Sequence, residues 1–223
     1  DVFEWYYPYD AFADIFAMYM DVNDDILVLG CGNSEMSAEM QEEGYNHIIN
    51  VDFSKVVIDQ MQEKYKEDYP DMTWYVMDAM KLKFEKHTFD VVIDKGLLDS
   101  MLCTDKGIIN AKMMLQNVDK VLKPDGVYIV VSYGTPDARL DLLENDVYES
   151  EDFLTWDAFV HAIAKPAANP FSFPDYSDYQ SMYYVYVCIK EEKKVLMKVK
   201  REEMRRRMER RKNRKLGAKY GNK

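Results

Sequence analysis

The sequence predicts an α/β domain built on a mostly parallel, seven-stranded sheet with helices on both faces and an antiparallel strand closing one side. Three observations predict it. From residue 26 to residue 132, short apolar runs alternate with amphipathic stretches, the pattern of strands joined by crossover helices. Four of the five runs are rich in branched apolar residues, as strands buried on both faces are. Beyond Tyr133 the alternation stops and two further extended segments follow, which fit an antiparallel pair.

Taken in order, residues 1–20 carry Trp5, Tyr6, Tyr9, Phe12, Phe16 and Tyr19 and read as an aromatic helix packed on or across the ligand edge of the sheet. The five parallel strands are expected at 26–30 (ILVLG), 47–52 (HIINVD), 73–77 (TWYVM), 89–94 (FDVVID) and 126–132 (GVYIVVS). A helix begins near Glu35. Ser54 can cap the next, whose Val57, Ile58, Met61 and Tyr65 share one face. Residues 105–122 repeat that spacing through Ile108, Ile109, Met113, Leu115 and Val118, and Pro124-Asp125-Gly126 reads as a turn into the fifth strand. Residues 134–152 read as a loop with at most one helical turn, and the closing segments are 152–165 and 181–190. Met36, Met40 and Met77 are core filling.

A chain of 223 residues with 48% hydrophobic content can bury one good core. The division expected is a domain over residues 1–190 and a basic tail over 191–223. That tail reads as helical, with a thin apolar stripe of Val195, Val199, Met204 and Met208. The net charge of −11 hides two opposite parts: the tail holds 15 Lys and Arg against 5 Glu, leaving the body 14 against 35. The body is therefore a poor nucleic-acid binder and attracts cationic partners, while the tail suits an acidic protein surface or nucleic acid. Three well-separated cysteines form neither a disulfide framework nor a metal motif, which points to a reducing, cytoplasmic setting. His47, His87 and His161 lack ligand spacing, so no metal is expected. No run is apolar enough for a membrane span.

The chemistry is expected at the carboxyl ends of the strands, where open α/β sheets bind ligands. Gly30-Cys31-Gly32-Asn33-Ser34 lets the backbone approach a ligand closely and leads into a helix start that favours a carboxylate. Asp52, with Phe53 beside it, ends the second strand twenty residues beyond Gly32 and can accept from ribose hydroxyls. Asp78, followed by Ala79, ends the third strand and can accept from an adenine amine. A dinucleotide site would share the first two features. Glu35, however, stands where the pyrophosphate pattern needs a small residue, and its carboxylate would repel a pyrophosphate. The balance favours S-adenosyl-L-methionine over a nicotinamide cofactor.

The segment 26–61, with GCGNS, and the DKG-x-LD element at 94–99 resemble the class I S-adenosylmethionine-dependent methyltransferases of the methyltransferase-like 13 group, which includes lysine methyltransferases of elongation factor 1-alpha. Glu4-Trp5-Tyr6 resembles the element preceding the group's first strand, and residues 184–188 its last strand, so the likeness spans about residues 4–190. It implies a Rossmann-like fold, protein-lysine methylation, and Asp94 near the donor methyl and the methionine end as orienter or proton acceptor, with Lys95 and Gly96 shaping the entrance and Asp94 and Lys95 counted among the cofactor contacts. Trp5, Tyr6 and Leu97 would lie toward the substrate. Val28 and Ser34 stand where the wider class carries an acid and a glycine. Both departures also occur in the group and leave the partner of the methionine amine open. Set beside this are blander roles: Asp94 as an ion-pair partner of Lys95, Asp99 as a cap or solvent-facing acid, and Trp5, Tyr6 and Tyr9 as core packing. A structural or adaptor subunit of a larger assembly is the competing functional reading. A small-molecule methyltransferase or aminopropyl transferase is a third.

Overall fold

The computed structural model describes residues 3–144, 154–165 and 181–190. The expected tail over 191–223 and the Pro- and Ser-bearing connection before residue 181 lie outside the described residues. Seven strands form one sheet: β1 (Ile26–Leu29), β2 (Ile48–Asp52), β3 (Thr73–Val76), β4 (Phe89–Lys95), β5 (Leu122–Ser132), β6 (Trp156–Ala164) and β7 (Met182–Lys190), in the order β3-β2-β1-β4-β5-β7-β6. The first five pair parallel, and β7 runs antiparallel to both β5 and β6. The expected fold class is therefore observed, with β7 as the closing antiparallel strand. Strand order reverses at β1, which pairs with β2 on one side and β4 on the other, so a crevice opens beyond the end of β1.

Alternation along each strand separates two cores. Ile26, Val28, Val91, Ile93, Val127 and Ile129 face α1 (Asp10–Phe16), α2 (Met36–Glu42) and α3 (Lys55–Tyr65). Leu27, Leu29, Val92, Tyr128 and Val130 face α4 (Leu97–Leu102), α5 (Gly107–Val121) and α6 (Pro136–Glu144). Every residue of β1 is buried, while β3 and β6, at the two edges, keep about half or more of their positions partly open to solvent. Ser54 caps α3 as expected, its side chain accepting from the Val57 amide at 3.4 Å. Met36 and Met40 are fully enclosed.

Three expectations are corrected. The aromatic N-terminus is helical only over Asp10–Phe16, because Pro8 disfavours helix at Tyr7 and Tyr6 sits at φ 68°. Residues 134–152 were expected to be a loop with at most one helical turn, yet within the described part, 134–144, Pro136 opens the nine-residue α6. Its two buried residues are Arg139 and Leu143, and an inward arginine hides the apolar period that would betray the helix. Pro124-Asp125-Gly126 is no terminal turn but an excursion inside β5, whose pairing with β4 passes from Leu122 directly to Val127.

Candidate active site

The crevice beyond β1 is lined by the bend 30–34, by Asp52 and Phe53 after β2, by Lys95, Gly96 and Leu97 after β4, and by Phe3 and Trp5 from the N-terminal segment. The bend depends on glycine. Gly30 and Gly32 adopt φ 60° and 54°, left-handed values that cost a side chain about 1–2 kcal/mol. Above Gly32 nothing but the Gly30 carbonyl comes within 4.0 Å of where a Cβ would stand, which leaves the backbone open to a ligand. Gly30 is instead pressed against Leu97, whose Cβ would lie 3.0 Å from an added Cβ. Leu97 is thereby held at the cleft wall.

Asp52 fastens the bend. Its Oδ2 accepts from the Gly32 amide at 3.0 Å and its Oδ1 from the Ser54 amide at 2.8 Å. Two amides use only part of a carboxylate's accepting capacity, so lone pairs remain for hydroxyls in the cleft. Phe53 is 79% exposed beside it, a ring available to flank a flat ligand. Cys31 is buried, and burial raises its thiol well above the ordinary range, so it offers no nucleophile. Asp78 accepts from the Met80 amide at 2.9 Å and caps a short 3-10 turn, Ala79–Lys81. Asp78 and Ala79 stand beyond the residues lining the cleft.

Asp94 and Lys95 occupy opposite faces of the sheet. Asp94 is fully buried on the α4 side, accepting from the amides of Leu97 (2.7 Å) and Leu98 (2.9 Å) and from the Tyr128 hydroxyl (3.1 Å). Burial pushes its carboxyl up to about 7; the Leu97 amide opposes this, and the nearby Asp99 charge adds to it. The ion pair with Lys95 weighed from the sequence is not formed. Lys95 pairs with Glu4, which also accepts from the Ser34 hydroxyl at 2.9 Å and the Glu35 amide at 2.6 Å. A side-chain carboxylate of the chain itself thus sits at the start of α2.

Asp99 is a further correction: it neither faces solvent nor serves merely as a cap, being 3% exposed at the centre of a polar network. Its Oδ1 accepts from Ser132 Oγ at 2.6 Å and Arg139 Nη2 at 2.8 Å, and its Oδ2 from the Tyr133 amide at 2.9 Å and the Tyr6 hydroxyl. Burial, reinforced by the bond to Asp99, keeps that hydroxyl protonated. Trp5 is 56% exposed at the cleft, whereas Tyr6 is half-buried against Gly96. Sequence reasoning missed Glu4 and Arg139 as site-building residues; the Glu-Trp-Tyr element was the available signal for the first. Among the described residues, no cluster of three metal-ligating side chains occurs and no helix is long and apolar enough to cross a membrane.

Comparison with known sequences matches residues 26–126 to a methyltransferase domain family. The chain is 39% identical over 132 residues to the eEF1A lysine and N-terminal methyltransferase of Mus musculus, an alignment covering 58% of this chain and 19% of that protein. It is 34% identical over 146 residues to the EEF1A lysine methyltransferase 4 of Mus musculus, covering 62% and 57%. The chain thus spans about a fifth to somewhat over half of the length of the relatives it matches. Among solved structures, a SAM-dependent methyltransferase from Methanosarcina mazei superposes with a TM-score of 0.56 at 16% identity, over 79% of this chain and 96% of that one. The chain therefore shares the Rossmann-like fold of that structure.

Proposed function

We propose that the chain transfers a methyl group from S-adenosylmethionine to a protein lysine, with an elongation factor 1-alpha-like protein as substrate. The observation that carries the reading is the cleft at the switch point: an open, left-handed Gly32 faces it, and Asp52, tied to that same glycine, leaves free lone pairs toward it. The names of the two relatives, methyltransferases of eEF1A, support this choice of acceptor.

In this reading Asp52 accepts from the ribose hydroxyls, Phe53 flanks the nucleoside, and the adenine extends past the lining residues to meet Asp78 and Ala79. The donor, when bound, supplies a sulfonium methyl that is already activated, so the chain's work is alignment. Asp94 is a positioning residue: it holds the Gly96–Leu98 turn by two amides, and that turn presents Leu97 and Lys95 to the cleft. Trp5 and the strongly acidic body receive the lysine, whose positive charge the body attracts.

Calorimetric titration of the chain with S-adenosylmethionine tests the first half; absence of heat at millimolar ligand would remove the enzymatic reading. Labelling a cell extract with radioactive donor, followed by gel autoradiography, tests the second. A labelled band at the size of the elongation factor is expected, and label confined to small metabolites would overturn the protein acceptor.

A further inference from the structure

The methionine part of the donor ends in an ammonium and a carboxylate, and one closed pair of opposite charges borders the cleft: Lys95 in its lining, and Glu4 between the lining residues Phe3 and Trp5. Among the described residues lining it, Lys95 is the sole basic side chain and Asp52 the sole acid, and Asp52 lies at the β2 side with Phe53. At the other side Lys95 reaches Glu4, joined to the bend through Ser34. Val28, where the wider class has an acid, is buried within β1 and can offer nothing. The two side chains are withdrawn from water, Lys95 being 4% and Glu4 19% exposed, and both come from segments that line the cleft.

We propose that Glu4 and Lys95 together receive the α-amino acid end of the methyl donor, Glu4 accepting from its ammonium and Lys95 donating to its carboxylate. This deepens the reading above and rests on it. The physical case is partner exchange. A lone charge entering such a site would leave one member of the pair uncompensated, a change that is strongly unfavourable when buried. A zwitterion brings both charges at once: the Glu4–Lys95 contact opens, each side chain finds an opposite charge, and the net charge of the site stays constant. A nucleoside lacking the amino acid end would leave the pair closed and gain nothing from it.

The test is calorimetric and needs no turnover. Wild type and Glu4→Gln are titrated with adenosylhomocysteine, with its analogue lacking the α-amine, and with methylthioadenosine, which lacks the whole amino acid end. Removing the amine should weaken wild-type binding about 10- to 100-fold, the range for a charged hydrogen bond. Glu4→Gln should lose a similar factor for adenosylhomocysteine, keep wild-type affinity for methylthioadenosine, and no longer distinguish the ligand with the amine from the one without. If Glu4→Gln binds adenosylhomocysteine as tightly as wild type, or more tightly because Glu4 competes with the ligand carboxylate, the proposal is overturned. Should the variant not fold, the wild-type ligand series alone decides: loss of the amine without loss of affinity sinks it. Silence of the wild type toward every ligand would instead remove the donor reading itself, and this inference with it.

Discussion

The two sides of the cleft are built from the same ingredients, an acid at a strand end followed by a glycine-bearing turn or a bend, yet they behave differently. At the β1–β2 side, Asp52 faces the cleft, pins Gly32 and Ser54, and keeps accepting capacity in hand. At the β4–β5 side, Asp94 and Asp99 turn inward, and every oxygen is engaged by amides, hydroxyls or Arg139. The first acid keeps capacity open toward the cleft; the other two hold α4, β5 and the N-terminal segment in register around it. Acids at neighbouring strand ends therefore divide into one that faces the cleft and ones that brace the interior, according to the face they occupy.

The largest effect that could break this contrast is on stability. Asp99→Ala leaves the Arg139 guanidinium, 10% exposed, without its carboxylate, and should cost about 3–5 kcal/mol as breaking a buried pair does, read from urea unfolding. Asp52→Ala should act mainly on ligand affinity, weakening adenosylmethionine binding by about 1–3 kcal/mol, read by calorimetry. Equal stability losses in the two variants, with affinity untouched, would erase the distinction between the sides.

A subtler signal is a slope. Because burial raises the Asp94 carboxyl to about 7, the folded chain keeps a proton there that the unfolded chain has already lost. Between the ordinary carboxylate range and about pH 7 the folded state binds more protons, so this group's contribution to stability falls as pH rises through that window. Wild type should lose stability relative to Asp94→Asn across it, and a difference independent of pH would show that Asp94 is ionised throughout.

Much of the binding side was legible because its causes are local. Two glycines around Cys31, an acid at the end of the next apolar run and a serine before a helical period are each visible as local patterns, while the bonds by which Asp52 ties Gly32 to Ser54 appear only in the structure. The long-range pairs were not. Asp99 joins Arg139, forty positions away, and Lys95 joins Glu4, ninety-one away, and Arg139 sits in a helix whose apolar period it conceals.

By itself, the amino-acid sequence determined the strands, their parallel class, the glycine bend and the acid beside it, since periodicity, backbone conformation and capping act over short range. Only the tertiary structure decided which way the strand-end charges point. Successive residues of β4 face opposite sides of the sheet, so Asp94 goes to the α4 layer and Lys95 to the α2 layer. Which charge each then meets depends on segments that only folding brings to that edge.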